Sequence, residues 1–232
     1  MQRNLLNYKR LIINLFFAFF AVSLISSYAD SLPVPVAEWK LNDGKGNIAK
    51  DSSQNPTDGE IHGAKWIEDK ECGTSLLFDG VDDYIVIPNS DKFKIKDQIT
   101  IEALVKPNSR KRGFIMAKED SWALGIRNGQ NKIHMADAKR WISIPYLDFV
   151  PEADKIYHIV GVWDHKNSTW KVYVNGQASS PLAVGNKSRN NINISDSPIY
   201  IGTWKWDDPK KNAEYNPKYG FAGIISNVKI YN

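Results

Sequence analysis

A single cysteine, Cys72, among 232 residues leaves no partner for an internal disulfide, so the core of this chain must be held by burial and hydrogen bonding. There are only four histidines, His62, His134, His158 and His165. No two of them stand at a metal-ligand spacing, which argues against a histidine-based zinc site. No segment sustains a helical apolar stripe for three turns, which excludes a helix bundle and a doubly wound α/β fold. Phosphate-binding loops and serine-nucleophile elbows are both missing. Neither sign of charge dominates. Three of the 30 Lys and Arg and none of the 26 Asp and Glu lie in residues 1–29, leaving 27 against 26 in the remainder. The basic residues are dispersed, apart from Arg110-Lys111-Arg112 and Lys210-Lys211 in loop-like sequence, so nothing calls for nucleic acid.

One apolar run stands apart from the rest. Residues 11–25 are apolar except for Asn14 and Ser23, follow a basic start at Arg3, Lys9 and Arg10, and precede Ser27 and Ala29 at the small-x-small spacing of a cleavage site. This pattern predicts a secretory signal peptide over residues 1–29 and a domain over residues 30–232; an uncleaved anchor is the alternative. No later run is long enough to cross a membrane. The mature chain is expected outside the cytoplasm: secreted, periplasmic or at the cell surface.

The remaining 203 residues suit one β domain. Period-two alternation recurs throughout. In "ITIEALVKP", Ile99, Ile101, Ala103 and Val105 share one face and Thr100, Glu102, Leu104 and Lys106 the other. "WALGIR", "RWISIPY", "WKVYVNGQ", "PIYIGTW" and "GFAGIISNVKIYN" read the same way. Asn175-Gly176 is a strong two-residue hairpin signal. About a dozen short strands, punctuated by Gly, Asn, Asp and Pro, predict an all-β fold of two packed antiparallel sheets. Two long polar loops, residues 178–198 and 205–219, are candidates for function.

"VAEWKLNDGKGNIAKDSSQNPTDGEIHGAKW", "SLLFDGVDDYIVIPNSDKFKIKDQITIEALVKP", "IYHIVGVWDHKNSTWKVYVNG", "SPIYIGTW" and the ending "GFAGIISNVKIYN" follow one another in an order and spacing that resembles the laminin-G-like, concanavalin A-like jelly-roll domains of secreted bacterial proteins. The resemblance spans residues 36–232 and implies a two-sheet jelly roll. That fold hosts lectins, glycoside hydrolases, polysaccharide lyases and adhesion modules, so it does not by itself name a function. The chain departs from the family's pattern at Gln54, where a Gly is usual, at Leu104, where a Trp is usual, and at Ser226, where an Asp is usual. The resemblance implies a structural calcium, and that Asp often helps hold it in related domains. Serine offers no carboxylate to a hard cation.

"FDGVDDYIVIP", residues 78–88, places Asp79, Asp82 and Asp83 between two apolar stretches. As a hairpin turn it needs no ligand, since Gly80 supplies positive φ and Asp side chains bind nearby amides. Three carboxylates within five residues can also converge on calcium, with Asp51 and Asp58 from a neighbouring acidic loop as contributors; the candidate set is Asp51, Asp79 and Asp82. Phe78 and Tyr84 are expected in or beside the core. Catalysis finds little support. Glycoside hydrolysis needs two carboxylates about 5 to 9 Å apart across a groove, and the Glu-x-Asp-x-x-Glu strand of this fold's glucanases is missing. Glu102 has no acidic neighbour two residues away. His134, Arg140 and Tyr146 could be assembled into a lyase site, but their spacing is not diagnostic. His158 is expected to pack with Val160 and Val162, and Cys72 to be buried and inert.

Eight tryptophans remain to be placed. Parity assigns Trp39, Trp122, Trp163 and Trp170 to the core and leaves Trp66 undecided. Trp141 stands opposite the face of Ile142 and Ile144. Trp204 stands opposite Ile199 and Ile201, and Trp206 lies in a charged loop. Exposed aromatic rings of this kind suit the C–H face of a sugar. The candidate glycan site is therefore Trp141, Trp204 and Trp206, with Tyr146, Arg140, Lys205 and Asp207 supplying hydrogen bonds at its rim. The expected function is non-catalytic binding of an extracellular polysaccharide or glycan, with a surface protein as the alternative partner.

Overall fold

The computed structural model describes residues 33–108, 113–127, 132–137, 142–145, 150–165, 167, 169–178, 191–205 and 219–232. The chain divides into two units, Met1–Val34 and Pro35–Asn232, and the second holds the fold. In chain order its strands are β1 (Ala37–Trp39), β2 (Ile48–Ala49), β3 (Gly59–His62), β4 (Lys65–Asp69), β5 (Gly73–Asp79) and β6 (Tyr84–Ile87). A 3-10 turn at Asp91–Phe93 leads to β7 (Gln98–Pro107), β8 (Gly113–Lys118), β9 (Trp122–Arg127), β10 (Lys132–Asp137) and β11 (Ile142–Pro145). Then follow β12 (Tyr157–Asp164), β13 (Thr169–Val174), β14 (Gln177–Ala178), β15 (Ile199–Ile201) and β16 (Ala222–Tyr231).

They form two eight-stranded antiparallel sheets. The first runs β14-β13-β12-β7-β16-β5-β4, with β1 also paired to β16; the second runs β11-β10-β9-β8-β15-β6-β3-β2. This is the two-sheet antiparallel sandwich expected from the alternation. The reason is visible in β7, where Ile99, Ile101, Ala103 and Val105 are buried and Thr100, Glu102, Leu104 and Lys106 are half-exposed. Trp39, Trp122, Trp163 and Trp170 all lie in the core between the sheets, as parity required. Trp163 and Trp170 are cross-strand partners whose rings lie 4.1 Å apart. Asn175 and Gly176 both take positive φ, the backbone that a two-residue turn between β13 and β14 demands. Trp66 is half-buried against the core and donates its indole N–H to the Gly46 carbonyl at 2.8 Å.

Two positions that depart from the family pattern are direct neighbours: Ser226 on β16 pairs with Leu104 on β7, just before a register shift at Asn227, whose φ is positive. His158 differs from expectation. It sits on the outer face of the first sheet, half-exposed, with Nε2 3.1 Å from a Glu102 carboxylate oxygen. Lys229 lies 3.3 Å from the same oxygen, and the Tyr231 hydroxyl donates to the other at 2.9 Å. Burial pushes the Glu102 carboxyl up, but His158, Tyr231 and Lys229 outweigh it and hold it below its ordinary range. Cys72 is half-buried rather than buried as expected, and burial still pushes its thiol up.

Candidate functional site

The outer face of the second sheet carries a half-exposed aromatic group. Ile61, Ile85, Ile87, Ile199 and Ile201 point into the core, so alternation sends Glu60, His62, Tyr84, Val86 and Tyr200 outward. The pairing then brings them together: His62 stands opposite Tyr84, Glu60 opposite Val86, and Val86 opposite Tyr200. The His62 and Tyr84 rings stack at 4.5 Å, and Tyr200 meets Tyr84 edge-on at 5.9 Å. Lys205, just beyond β15, holds its ammonium 3.3 Å from the centre of the Tyr84 ring. A Glu60 carboxylate oxygen lies 3.6 Å from His62 Nε2. The group therefore offers aromatic carbon, an ammonium, an imidazole and a carboxylate within one patch.

Further across the same face, Ala117 on β8 stands opposite Tyr200, and Ala123 on β9 opposite Ala117. Both alanines belong to a second apolar cluster, separate from the core, with Phe114, Trp204 and, at its margin, Tyr219. The Trp204 ring lies 5.1 Å from that of Phe114, which in turn lies 6.0 Å from Tyr219. Trp204 is thus on the outward side of the sheet, as its parity said, but only 1% exposed. This corrects the expectation of an open stacking surface: neighbouring aromatics cover the indole, so it has no free face for a sugar.

The acidic turn abuts the aromatic group. Asp83 immediately precedes Tyr84, and Gly63 immediately follows His62. Oδ1 of Asp79 accepts the Val81 amide at 2.7 Å, and the Asp79 amide donates to Asp83 at 2.8 Å. Gly63 has a φ of +78°, and a Cβ built there would lie 2.0 Å from Asp83 Oδ1, so only glycine allows the approach. Carboxylate oxygens of Asp79, Asp82 and Asp83 lie within 4.8 Å of one another. Asp79 and Asp82 are exposed and Asp83 is buried. Burial pushes the Asp83 carboxyl up, the Asp79 amide pulls it back, and the Asp79 and Asp82 charges push it up again. Three carboxylate oxygens converging in one turn are the kind of donor set that a hard divalent cation such as calcium takes.

Asp51 does not belong with them. It precedes β3 at the Ile87 end of the β3–β6 pair, whereas Asp83 lies at the His62 end, about 13 Å of strand away. Its carboxylate is fully engaged. It accepts the amides of Glu38 (3.0 Å), Ser53 (2.9 Å) and Thr57 (2.8 Å) and the Lys92 ammonium (2.6 Å). Asp58 accepts the Asp51 amide and pairs with Lys50 at 3.0 Å. Of the expected set Asp51, Asp79 and Asp82, the fold brings Asp79 and Asp82 together, with Asp83 as the third carboxylate, and sets Asp51 apart.

Of the other sequence candidates, Arg140, Trp141, Tyr146, Trp206 and Asp207 lie outside the described residues. Lys205 lies over the Tyr84 ring. Phe78 is in the core, but Tyr84 faces outward. The lyase grouping is not assembled among the described residues, since only His134, paired across β10–β11 with Pro145, falls within them. The sequence signal for the outward group lies in the alternation of Tyr84 and Val86 with Ile85 and Ile87; nothing in the spacing joins His62 and Tyr200 to it.

The family described as the concanavalin A-like lectin/glucanases superfamily (Laminin_G_3) matches residues 79–232. No curated protein matches the chain in sequence. Domain 4 of AbnA, a GH43 extracellular arabinanase from Geobacillus stearothermophilus solved in complex with arabinotriose, superposes with a TM-score of 0.61 at 17% identity, covering 86% of this chain and 93% of that one. The binding domain of botulinum neurotoxin DC, in complex with SialylT, gives 0.57 at 12% identity over 85% of this chain, which spans 47% of that structure. Trypanosoma rangeli sialidase in complex with sialic acid gives 0.50 at 18% identity, covering 92% of this chain and 36% of that one. At these identities the likeness is one of fold.

Proposed function

The chain belongs to the concanavalin A-like lectin/glucanase superfamily, and from that premise we propose that it is a non-catalytic carbohydrate-binding domain. Its glycan site is the outward group of His62, Tyr84, Tyr200 and Lys205. The observation that carries this reading is the clustering of half-exposed aromatic rings with an ammonium on one sheet face, at a margin where Trp204 and Phe114 are already covered. A sugar presents a flat C–H face and a rim of hydroxyls. Tyr84 carries His62 on one side and Lys205 on the other, so it positions the group; Tyr200 and the outer side of His62 suit the first, and Lys205 and Glu60 the second. The arabinotriose, SialylT and sialic acid complexes of proteins sharing the fold support the reading by analogy.

Asp79, Asp82 and Asp83 are the residues that would hold calcium. The ion would neutralise the turn beside Tyr84 and fix the start of β6. Residues 1–29 act as a signal peptide in this reading, and the domain works outside the cytoplasm. Among the described residues no helix is long and apolar enough to cross a membrane. A protein-binding or adhesion role, with the long loops making the contact, is the alternative. A polysaccharide and glycan array, read with and without calcium and repeated with Tyr84→Ala and Tyr200→Ala, tests the proposal. Glycan binding lost in both variants at unchanged melting temperature supports it. Glycan binding that survives both variants moves the site elsewhere, and no glycan bound by the parent favours the protein-binding role.

A further inference from the structure

The loop "DSSQNPTD", residues 51–58, has oxygen-bearing residues at Asp51, Ser53 and Asn55. Calcium loops use this two-residue spacing to wrap successive ligands around one ion. In this chain the loop closes around an ammonium. Lys92 Nζ lies 2.6 Å from Asp51 Oδ2, 2.6 Å from the Asn55 carbonyl oxygen and 3.4 Å from Ser53 Oγ. Three acceptors match the three N–H bonds of one ammonium. The pair is shielded, with the Asp51 side chain fully buried and that of Lys92 only 13% exposed.

The surroundings leave the loop little freedom. Asp51 Oδ1 takes the amides of Glu38 and Ser53, so the carboxylate ties β1 to the loop. Thr57 donates its amide to Asp51 Oδ2, and its carbonyl accepts the Trp39 indole N–H at 3.1 Å. The Trp39 and Phe93 rings lie 6.2 Å apart, and Phe93 neighbours Lys92 in the 3-10 turn. One cation therefore joins β1, the loop and the turn that follows β6, which is the task a structural calcium performs in other loops.

We propose that Lys92 is a tethered cation standing in the place of a divalent ion in the 51–57 loop, so that this end of the sandwich holds without metal. Removing the ammonium while keeping the loop then uncovers a divalent-cation site formed by Asp51, Ser53 and the Asn55 carbonyl. The inference is independent of the glycan site, which lies at the other end of β3 and β6. It removes the 51–57 loop from the places where the native chain would respond to calcium.

The test compares the parent, Lys92→Ser and Lys92→Ser/Asp51→Asn by thermal melting in EDTA and in millimolar calcium. Serine vacates the ammonium position and leaves an oxygen there. In EDTA, Lys92→Ser should melt below the parent. Calcium should raise its melting temperature by about 5 °C more than it raises the parent's, as for a ligand in roughly hundredfold excess over its Kd in a domain of this size. The double variant should lose that extra gain. A Lys92→Ser chain that is unfolded in EDTA and folds on adding calcium is the same result in stronger form. If Lys92→Ser, folded or unfolded, gains no more from calcium than the parent does, or if the double variant keeps the gain, the proposal is overturned.

Discussion

The Lys205 ammonium rests 3.3 Å from the centre of the Tyr84 ring, whose plane is stacked against His62 at 4.5 Å. One aromatic ring on the outer face of the second sheet therefore organises both an imidazole and a cation. Tyr84→Ala should weaken glycan binding by about 1 to 2 kcal/mol, because the ring holds both His62 and Lys205 in place. It should leave the core intact, because the inward residues of β6 are Ile85 and Ile87. Lys205→Ala should cost about 0.5 to 2 kcal/mol of binding. Calorimetric titration of the best array hit checks both. A Tyr84→Ala protein that binds as tightly as the parent rejects the site.

Trp204→Ala is expected to damage the fold. The indole is enclosed with Phe114, Ala117 and Ala123, so truncation should cost about 3 to 5 kcal/mol. Phe78→Ala, in the main core, should cost a similar amount. Urea melts of both variants read this directly. A Trp204→Ala chain that keeps its stability and loses glycan binding would restore the indole as a sugar-stacking surface.

The acidic turn makes a calcium prediction with a built-in control. If Asp79, Asp82 and Asp83 hold the ion, calcium should raise the parent's melting temperature, and Asp82→Asn should remove the gain while costing about 1 kcal/mol or less in EDTA. Gly63→Ala should destabilise the turn with or without calcium, because its Cβ meets Asp83 and its φ of +78° disfavours any side chain.

Two carboxyl groups oppose each other in pH dependence. Glu102 is held below its ordinary range, so its contribution to stability is present above that range and is lost as pH falls through the depressed folded value. Asp83 is held above its ordinary range, so its ionised form costs stability at neutral pH, and acid relieves that cost. Melting temperature followed from pH 7 downward should therefore fall less steeply in Glu102→Gln than in the parent, and more steeply in Asp83→Asn. Parallel curves for all three proteins would mean that neither group is coupled to folding. At the alkaline end, Tyr231, pushed up to about 12 by burial and by Glu102, should lose its stabilising effect as pH rises above 10.

By itself the sequence determined which side of each strand is buried. Alternation is local: Ile99, Ile101, Ala103 and Val105 can only turn together toward one sheet face, and four tryptophans went to the core on that rule alone. The same rule put Trp204 on the outward side of β15. What covers an outward side chain depends on strands and loops distant in the chain, and only the tertiary structure decided that Phe114, Ala117 and Ala123 enclose Trp204. Pairing of β3 with β6 and of β6 with β15 likewise brought His62, Tyr84 and Tyr200 together from positions 62 to 200, a proximity that no spacing encodes. The acidic residues show the same division. Asp79, Asp82 and Asp83 lie within one tight turn, so their convergence follows from chain connectivity. Asp51 looked equally suited by composition, but antiparallel pairing sends it to the opposite end of β3. There Lys92, from a turn after β6, meets its buried charge, and the cost of leaving a buried carboxylate unpaired accounts for that ion pair.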